Sequence, residues 1–284
     1  MKMSSLSKLN PLNSMNLRQK TILLIGLIVL LLVLVYASSL SIDPANILTD
    51  FTLRNQPPSF EHLFGTDWLG RDMLTRTIKG LGLSIFIGAV ASILSSILAI
   101  IMAFISSVNK YGDVLIAWLI DFFASIPHLL LLIMISICLG KGAMGVIIGV
   151  ACTHWTSLAR VLRVEIKEIQ TSEYVQLSEK FGKNKFWIAK EHILILVITQ
   201  VIVGTLLIFP HAIMHEASIT FLGFGLSPHE PAIGIILSES MSYLTTGAWW
   251  LAVFPGVMLL IIVLLFDILG EEVEKLLDPT KAQK

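Results

Sequence analysis

Long apolar runs, separated by short polar segments, restrict the folds open to this polypeptide more than any other feature. A helix needs about 20 apolar residues to cross a bilayer core. Six stretches approach or exceed that length, at roughly 21–40, 83–106, 114–139, 143–159, 193–213 and 249–269. Inside hydrocarbon, backbone N–H and C=O groups must be satisfied within the chain, so such spans are read as helices. Composition points the same way. Charged residues make up 14% of the chain and hydrophobic ones 55%, against about 25% charged in soluble domains. The predicted fold is an all-α integral membrane bundle of about six transmembrane helices. Cys138 and Cys152 fall inside apolar runs and read as packing residues, not as a disulfide framework.

The first run admits a second reading as a secretory signal peptide, with Val35-Tyr36-Ala37 resembling a cleavage site. Its length exceeds the usual apolar core of about 7–15 residues, which favours a retained span. Lys and Arg placement sets the expected orientation. With the N-terminal segment 1–20 and the tail 270–284 in the cytoplasm, fifteen Lys and Arg residues lie on the inner side and five on the outer. Segment 41–82, with Pro44, Pro57 and Pro58, is then an external loop, and segment 160–192 a charged cytoplasmic one. The formal net charge of zero gives no reason to expect a nucleic-acid partner.

Segment 160–192 reads as a helix–turn–helix. Residues 160–179 contain good helix formers and no Gly or Pro. Gly182 offers the left-handed turn, and a short second helix over 185–190 leads into the next span. Glu173-Tyr174-Val175-Gln176-Leu177-Ser178-Glu179-Lys180-Phe181-Gly182, followed by Glu191-His192-Ile193-Leu194, resembles the EAA loop of ABC importer permeases. Leu177-Ser178 replaces the usual alanine pair, and the proline that commonly follows His-Ile-Leu is missing. The resemblance implies a coupling loop, carried by Glu173, Tyr174, Leu177, Ser178, Gly182 and His192, that docks on an ATP-binding subunit.

Two more motifs narrow the resemblance. Gly65-Thr66-Asp67-Trp68-Leu69-Gly70-Arg71-Asp72 and Glu216-Ala217-Ser218-Ile219-Thr220-Phe221-Leu222-Gly223-Phe224-Gly225 are similar to signatures of the dipeptide/oligopeptide/nickel permeases. Pro255-Gly256 and the tail through Asp278-Pro279 fit the same pattern, that of the C-type subunit. The resemblance implies a multi-pass protein of the bacterial inner membrane. It also implies a homologous B-type permease partner, two ATP-binding subunits and a substrate-binding protein outside the membrane. The chain contains no G-x-x-x-x-G-K-[ST] phosphate cradle. Hydrolysis is therefore expected on other polypeptides, and no cofactor is expected here.

Several polar residues fall inside the spans. An ionisable group at Asp121 is costly in lipid and is expected to face the bundle interior. It would serve there as a gating residue or as a hydrogen-bond partner between helices. Pro127 is expected to kink the same helix. His211 and His215, at i and i+4, share one helix face and are candidates for a borderline metal such as nickel. His154, followed by Trp155, and the His-x-x-x-His pair resemble the nickel branch of the family, whereas Glu216 is more like the peptide branch. The substrate path is thus expected to involve His154, His211, His215, Glu216 and Asp121. The cargo is expected to be nickel or a metal chelate, with di- or oligopeptides as the alternative. Loop 216–248 is expected outside, folded over that path. A metalloprotease is excluded because Ile219 stands where H-E-x-x-H needs its second histidine. An ion-coupled carrier is the rival of another class, and the inverted repeats such carriers often show are not evident in the sequence.

Overall fold

The computed structural model describes residues 16–43 and 47–277. The expectations placed on residues 1–15, Pro44 and the last residues of the tail lie outside them. Ten α-helices carry the described chain: α1 (Leu17–Ser41), α2 (Met73–Val108), α3 (Lys110–Ser125), α4 (His128–Cys138), α5 (Gly142–Gln170), α6 (Glu173–Lys180), α7 (Lys185–Ile188), α8 (Leu194–Phe221), α9 (Ile233–Leu244) and α10 (Trp250–Leu277). A π-helical turn, Ala189–Ile193, joins α7 to α8. No strand is present among the described residues; Thr66 and Asp72 form one isolated antiparallel bridge.

Five helical stretches are long and apolar enough to cross a membrane: α1, α2, α5, α7 running on into α8, and α10. The sixth expected span, 114–139, is not one kinked helix. It is α3 and α4, bent by 95° across Ile126 and Pro127. Proline disfavours helical geometry in the residue before it, and Ile126 is extended at φ −92°, ψ 135°.

Other boundaries move as well. The second span starts at Met73 instead of near 83, so the expected loop 41–82 is shorter. Its first turns carry Arg76 and Lys79, which read as loop by hydropathy but are both engaged. Lys79 Nζ donates to the carbonyls of Ser39 and Ile42 at the end of α1 (2.9 and 3.2 Å), the favoured place for a cation on a helix. The expected helix 160–179 breaks at Thr171 and Ser172. The fifth span continues to Phe221, and α9 occupies part of the expected loop 216–248.

The helix α2 lies at the centre and packs against α1, α3, α5, α8, α9 and α10. Small side chains make this closeness feasible. A Cβ on Gly82 would sit 1.9 Å from Ser39 Oγ of α1, and one on Gly88 would sit 2.7 Å from Ile213 Cγ1 of α8. The lipid-facing sides stay apolar and open, as along α1, where Leu23, Leu27, Leu30 and Leu34 are exposed.

At one end of α2, residues 47–72 fold into a compact cap. Its Gly-Thr-Asp and Gly-Arg-Asp pieces have structural reasons. Gly70 has φ +77°, and a Cβ there would lie 1.7 Å from the Asp50 carbonyl oxygen, so only glycine fits. The Thr66 hydroxyl donates to the Leu53 carbonyl. Asp72 caps α2, accepting from Thr75 N–H at 2.8 Å. Asp67 accepts from Arg71 Nε at 2.7 Å and from Arg76 at 2.8 Å, and Arg76 reaches on to Glu239 of α9 at 2.8 Å. Asp50 sits at the cap surface, and the hydroxyl and N–H of Thr52 hold its carboxyl below the usual carboxylate range.

Candidate functional site

Two features stand out, at different levels of the bundle. The first is a helical elbow at the opposite end of α2 from the cap. The helix α5 ends at Gln170, whose side chain donates to the Ser107 carbonyl at 2.9 Å. Chain direction then changes at Thr171 and Ser172, and α6 follows. Glu173 opens α6, where a carboxylate favours the helix dipole. Val175 (1% exposed) is the buried anchor of α6 and packs with Ile188, Ala189 and Ile193. Gly182 turns the chain with φ +78°, as its place in the sequence predicts. The Asn184 side chain then caps α7 by accepting from Trp187 N–H at 2.8 Å.

His192 holds the two arms of the elbow together. Its Nε2 lies 3.0 Å from Ser178 Oγ, and its ring contacts Tyr174 and Trp187, with centroids 5.5 and 5.3 Å away. Ser178, where the resemblance expects alanine, thus has a defined contact. Tyr174, Leu177 and Phe181 remain exposed on the outer side. Lys185 Nζ donates to the Val108 carbonyl at 3.1 Å. Arg163 and Lys167 both hold Asp113 of α3, at 2.5 and 2.8 Å. Lys185 thus ties the elbow to α2, and α5, from which the elbow springs, is tied to α2 by Gln170 and to α3 by the two ion pairs.

The second feature lies in the transmembrane part. His128 (α4), His154 (α5) and His215 (α8) converge, with one potential ligand nitrogen from each lying within 4.8 Å of the others. Ring centroids are 4.4, 4.8 and 5.1 Å apart. The arrangement departs from the sequence expectation in two ways. His211 is exposed and does not join the cluster. The reason is helical pitch: four residues separate the two side chains by a full turn, so His215 brings its nitrogen to the junction with α4 and α5 while His211 stays exposed beside it. His128 is not among the residues that the sequence singles out. An ionisable residue immediately after a proline, in an otherwise Leu/Ile-rich run, is the signal that could have found it.

Glu216 is fully buried but points elsewhere, accepting from Ser84 Oγ at 2.6 Å and Thr220 Oγ1 at 3.1 Å. It joins α2 to α8. Ser84→Ala should leave one carboxyl oxygen without its donor and cost about 1–3 kcal/mol. Thermal unfolding of the purified protein reads that loss. The neighbouring Gly-Phe-Gly segment folds back on α8 and meets α4: a Cβ on Gly225 would lie 2.2 Å from Thr220 Oγ1, and Ser136 Oγ of α4 donates to the Phe224 carbonyl at 2.8 Å.

Asp121 corrects another expectation. It does not face the interior of this chain: its side chain is 79% exposed and lies 3.5 Å from Arg160, itself 57% exposed. The buried face of α3 is that of Ile116 and Ile120, so the adjacent position turns outward.

The chain is similar to several known proteins. Residues 95–279 match the family described as binding-protein-dependent transport system inner membrane component. The dipeptide transport system permease protein DppC of Bacillus subtilis is 30% identical over 267 residues, covering 93% of this chain and 83% of that protein. The di/tripeptide permease DppC of Pseudomonas aeruginosa is 32% identical over 245 residues, covering 84% and 80%. Among solved structures, the methionine ABC transporter MetNI superposes with a TM-score of 0.59 at 17% identity, covering 72% of this chain and 96% of that one. That likeness concerns the fold. The matching family spans most of the bundle, from the middle of α2 through the elbow to α10, and the ion-coupled carrier reading falls with it. This chain belongs to the binding-protein-dependent inner-membrane permeases, as a C-type ABC importer permease of the dipeptide/oligopeptide/nickel group.

Proposed function

We propose that this chain forms half of the translocation path of an ABC importer and that its cargo is nickel or a small chelate of such a metal. The observation that carries the cargo reading is the convergence of three imidazoles from three different helices. Histidine nitrogen suits nickel, cobalt, copper and zinc. The importer would be completed by a B-type permease, two ATP-binding subunits and an external binding protein. Both termini would face the cytoplasm. ATP-driven closure of the partner subunits would push on Tyr174, Leu177 and Phe181, and the tied elbow would pass that motion to α5 and α8.

A second reading, import of di- or oligopeptides, is supported by the names of the relatives, which are dipeptide, di/tripeptide and oligopeptide permeases. The two readings separate in one uptake experiment. Cells carrying the importer are given radioactive nickel, then a labelled dipeptide. Under the metal reading, His154→Ala with His215→Ala lowers nickel uptake by about tenfold or more. Saturable dipeptide uptake with no importer-dependent nickel uptake would replace it with the peptide reading, and nickel uptake unchanged in the double variant would remove these histidines from the path.

A further inference from the structure

We infer that His128, His154 and His215 form a transit site for one divalent transition-metal ion, bound by three neutral imidazoles from α4, α5 and α8. The inference deepens the metal reading of the cargo and depends on that reading for its role in transport. The binding site itself is open to direct measurement.

Two independent observations point to a ligand. The first is the convergence of donor atoms. His154 is 8% exposed, and its Nδ1 is held at 3.0 Å from the Val150 carbonyl. A backbone carbonyl on one ring nitrogen fixes the tautomer and leaves the other as a metal donor. The second is an unmet need. His128 Nε2 is closed off from solvent and has no hydrogen-bond partner. A buried polar atom without a partner is costly, and three clustered imidazoles offer one another few donors when all are neutral. A cation shared among the rings removes that cost.

The geometry also indicates what kind of site this is. Metal–nitrogen bonds of about 2.0–2.1 Å place tetrahedral donors about 3.3 Å apart. The nitrogens here spread up to 4.8 Å, so binding requires the rings to draw together by roughly 1–1.5 Å. His128 is well placed to move. It is the first residue of α4, directly after the 95° bend.

No carboxylate belongs to the set, since Glu216 is committed to Ser84 and Thr220. The positive end of the α4 dipole also faces the cluster from His128, and it opposes a cation. Three neutral nitrogens select borderline metals over magnesium and calcium. Without a compensating anion they release the ion more readily than a structural site would, as a conducting path requires.

The test uses the assembled importer, purified with its partner subunits and stripped of metal. Nickel, cobalt and zinc are titrated by calorimetry, and the bound species is read by X-ray absorption. Saturable binding with imidazole ligation is expected. His128→Ala, His154→Ala and His215→Ala should each weaken it by about tenfold or more, whereas His229→Ala, in the exposed 227–230 turn, should not. His128→Gln guards against a folding artefact, because it keeps a polar group at the start of α4. It should behave like His128→Ala. Absence of saturable binding, or full affinity in all three alanine variants, overturns the site. Saturable metal binding in the wild type that is lost in the alanine variants, with dipeptide uptake intact and no nickel uptake, upholds the site and removes metal as cargo.

Discussion

Arg76→Ala is expected to destabilise the permease by about 3–5 kcal/mol. Arg76 is 3% exposed and bridges Asp67 and Glu239 at 2.8 Å each. Removing it leaves Asp67, also nearly enclosed, facing one guanidinium instead of two. A buried charge stripped of a partner costs far more than a surface pair. The cap over residues 47–72 should then loosen from α2, while Arg71, 3.4 Å from Glu239, still ties it to α9. Limited proteolysis should cut within 47–72, and the melting temperature of the purified protein should fall. Salt should alter the wild-type melting point little, because buried pairs are weakly screened. Asp67→Asn combined with Arg76→Gln should be milder than Arg76→Ala, since it removes both charges together. A melting curve for Arg76→Ala superimposable on wild type would refute this account of the cap.

Gly182→Val should sharply reduce uptake while leaving the protein in the membrane at near-normal amounts. A Cβ at Gly182 meets nothing within 4 Å, so the substitution adds no clash. Its cost comes from φ +78°, which a β-branched residue adopts only at about 1–3 kcal/mol or more. That cost falls on the turn alone, and the turn sets the angle between α6 and α7. Uptake is expected to fall by about tenfold or more, the equivalent of losing over 1.4 kcal/mol of coupling. Gly182→Asn should retain most transport, because asparagine tolerates the left-handed region. Equal loss in both variants would assign the defect to something other than backbone geometry.

Much of the fold is legible in the order of the residues. The apolar runs place five spans, because burial in lipid needs only length and composition. Gly182 is legible as a turn for the same kind of local reason. What sequence reasoning misses depends on partners far away in the chain. Arg76 and Lys79 look like loop residues until Asp67, Glu239 and two carbonyls of α1 neutralise them. Glu216 looks like a neighbour of His215, yet its bonds go to Ser84 of α2. Hydropathy marks Asp121 as misplaced but says nothing of which face it occupies. His211 and His215 share a helix face, whereas the cluster needs a junction between helices, and that selects His128 and His154 in place of His211.

The tight contacts of α2 restrict how the subunit can rock. With α1 pressed against Gly82 and α8 against Gly88, α2 cannot turn about its own axis without driving larger side chains into both neighbours. It is a fixed shaft. Conformational change must pivot around it, through pieces that end in breaks: α4 beyond Pro127, and the elbow on either side of Gly182. A spin label on α2 should therefore keep its distance to one on α1 through the transport cycle, while labels on α4 and α6 move relative to it.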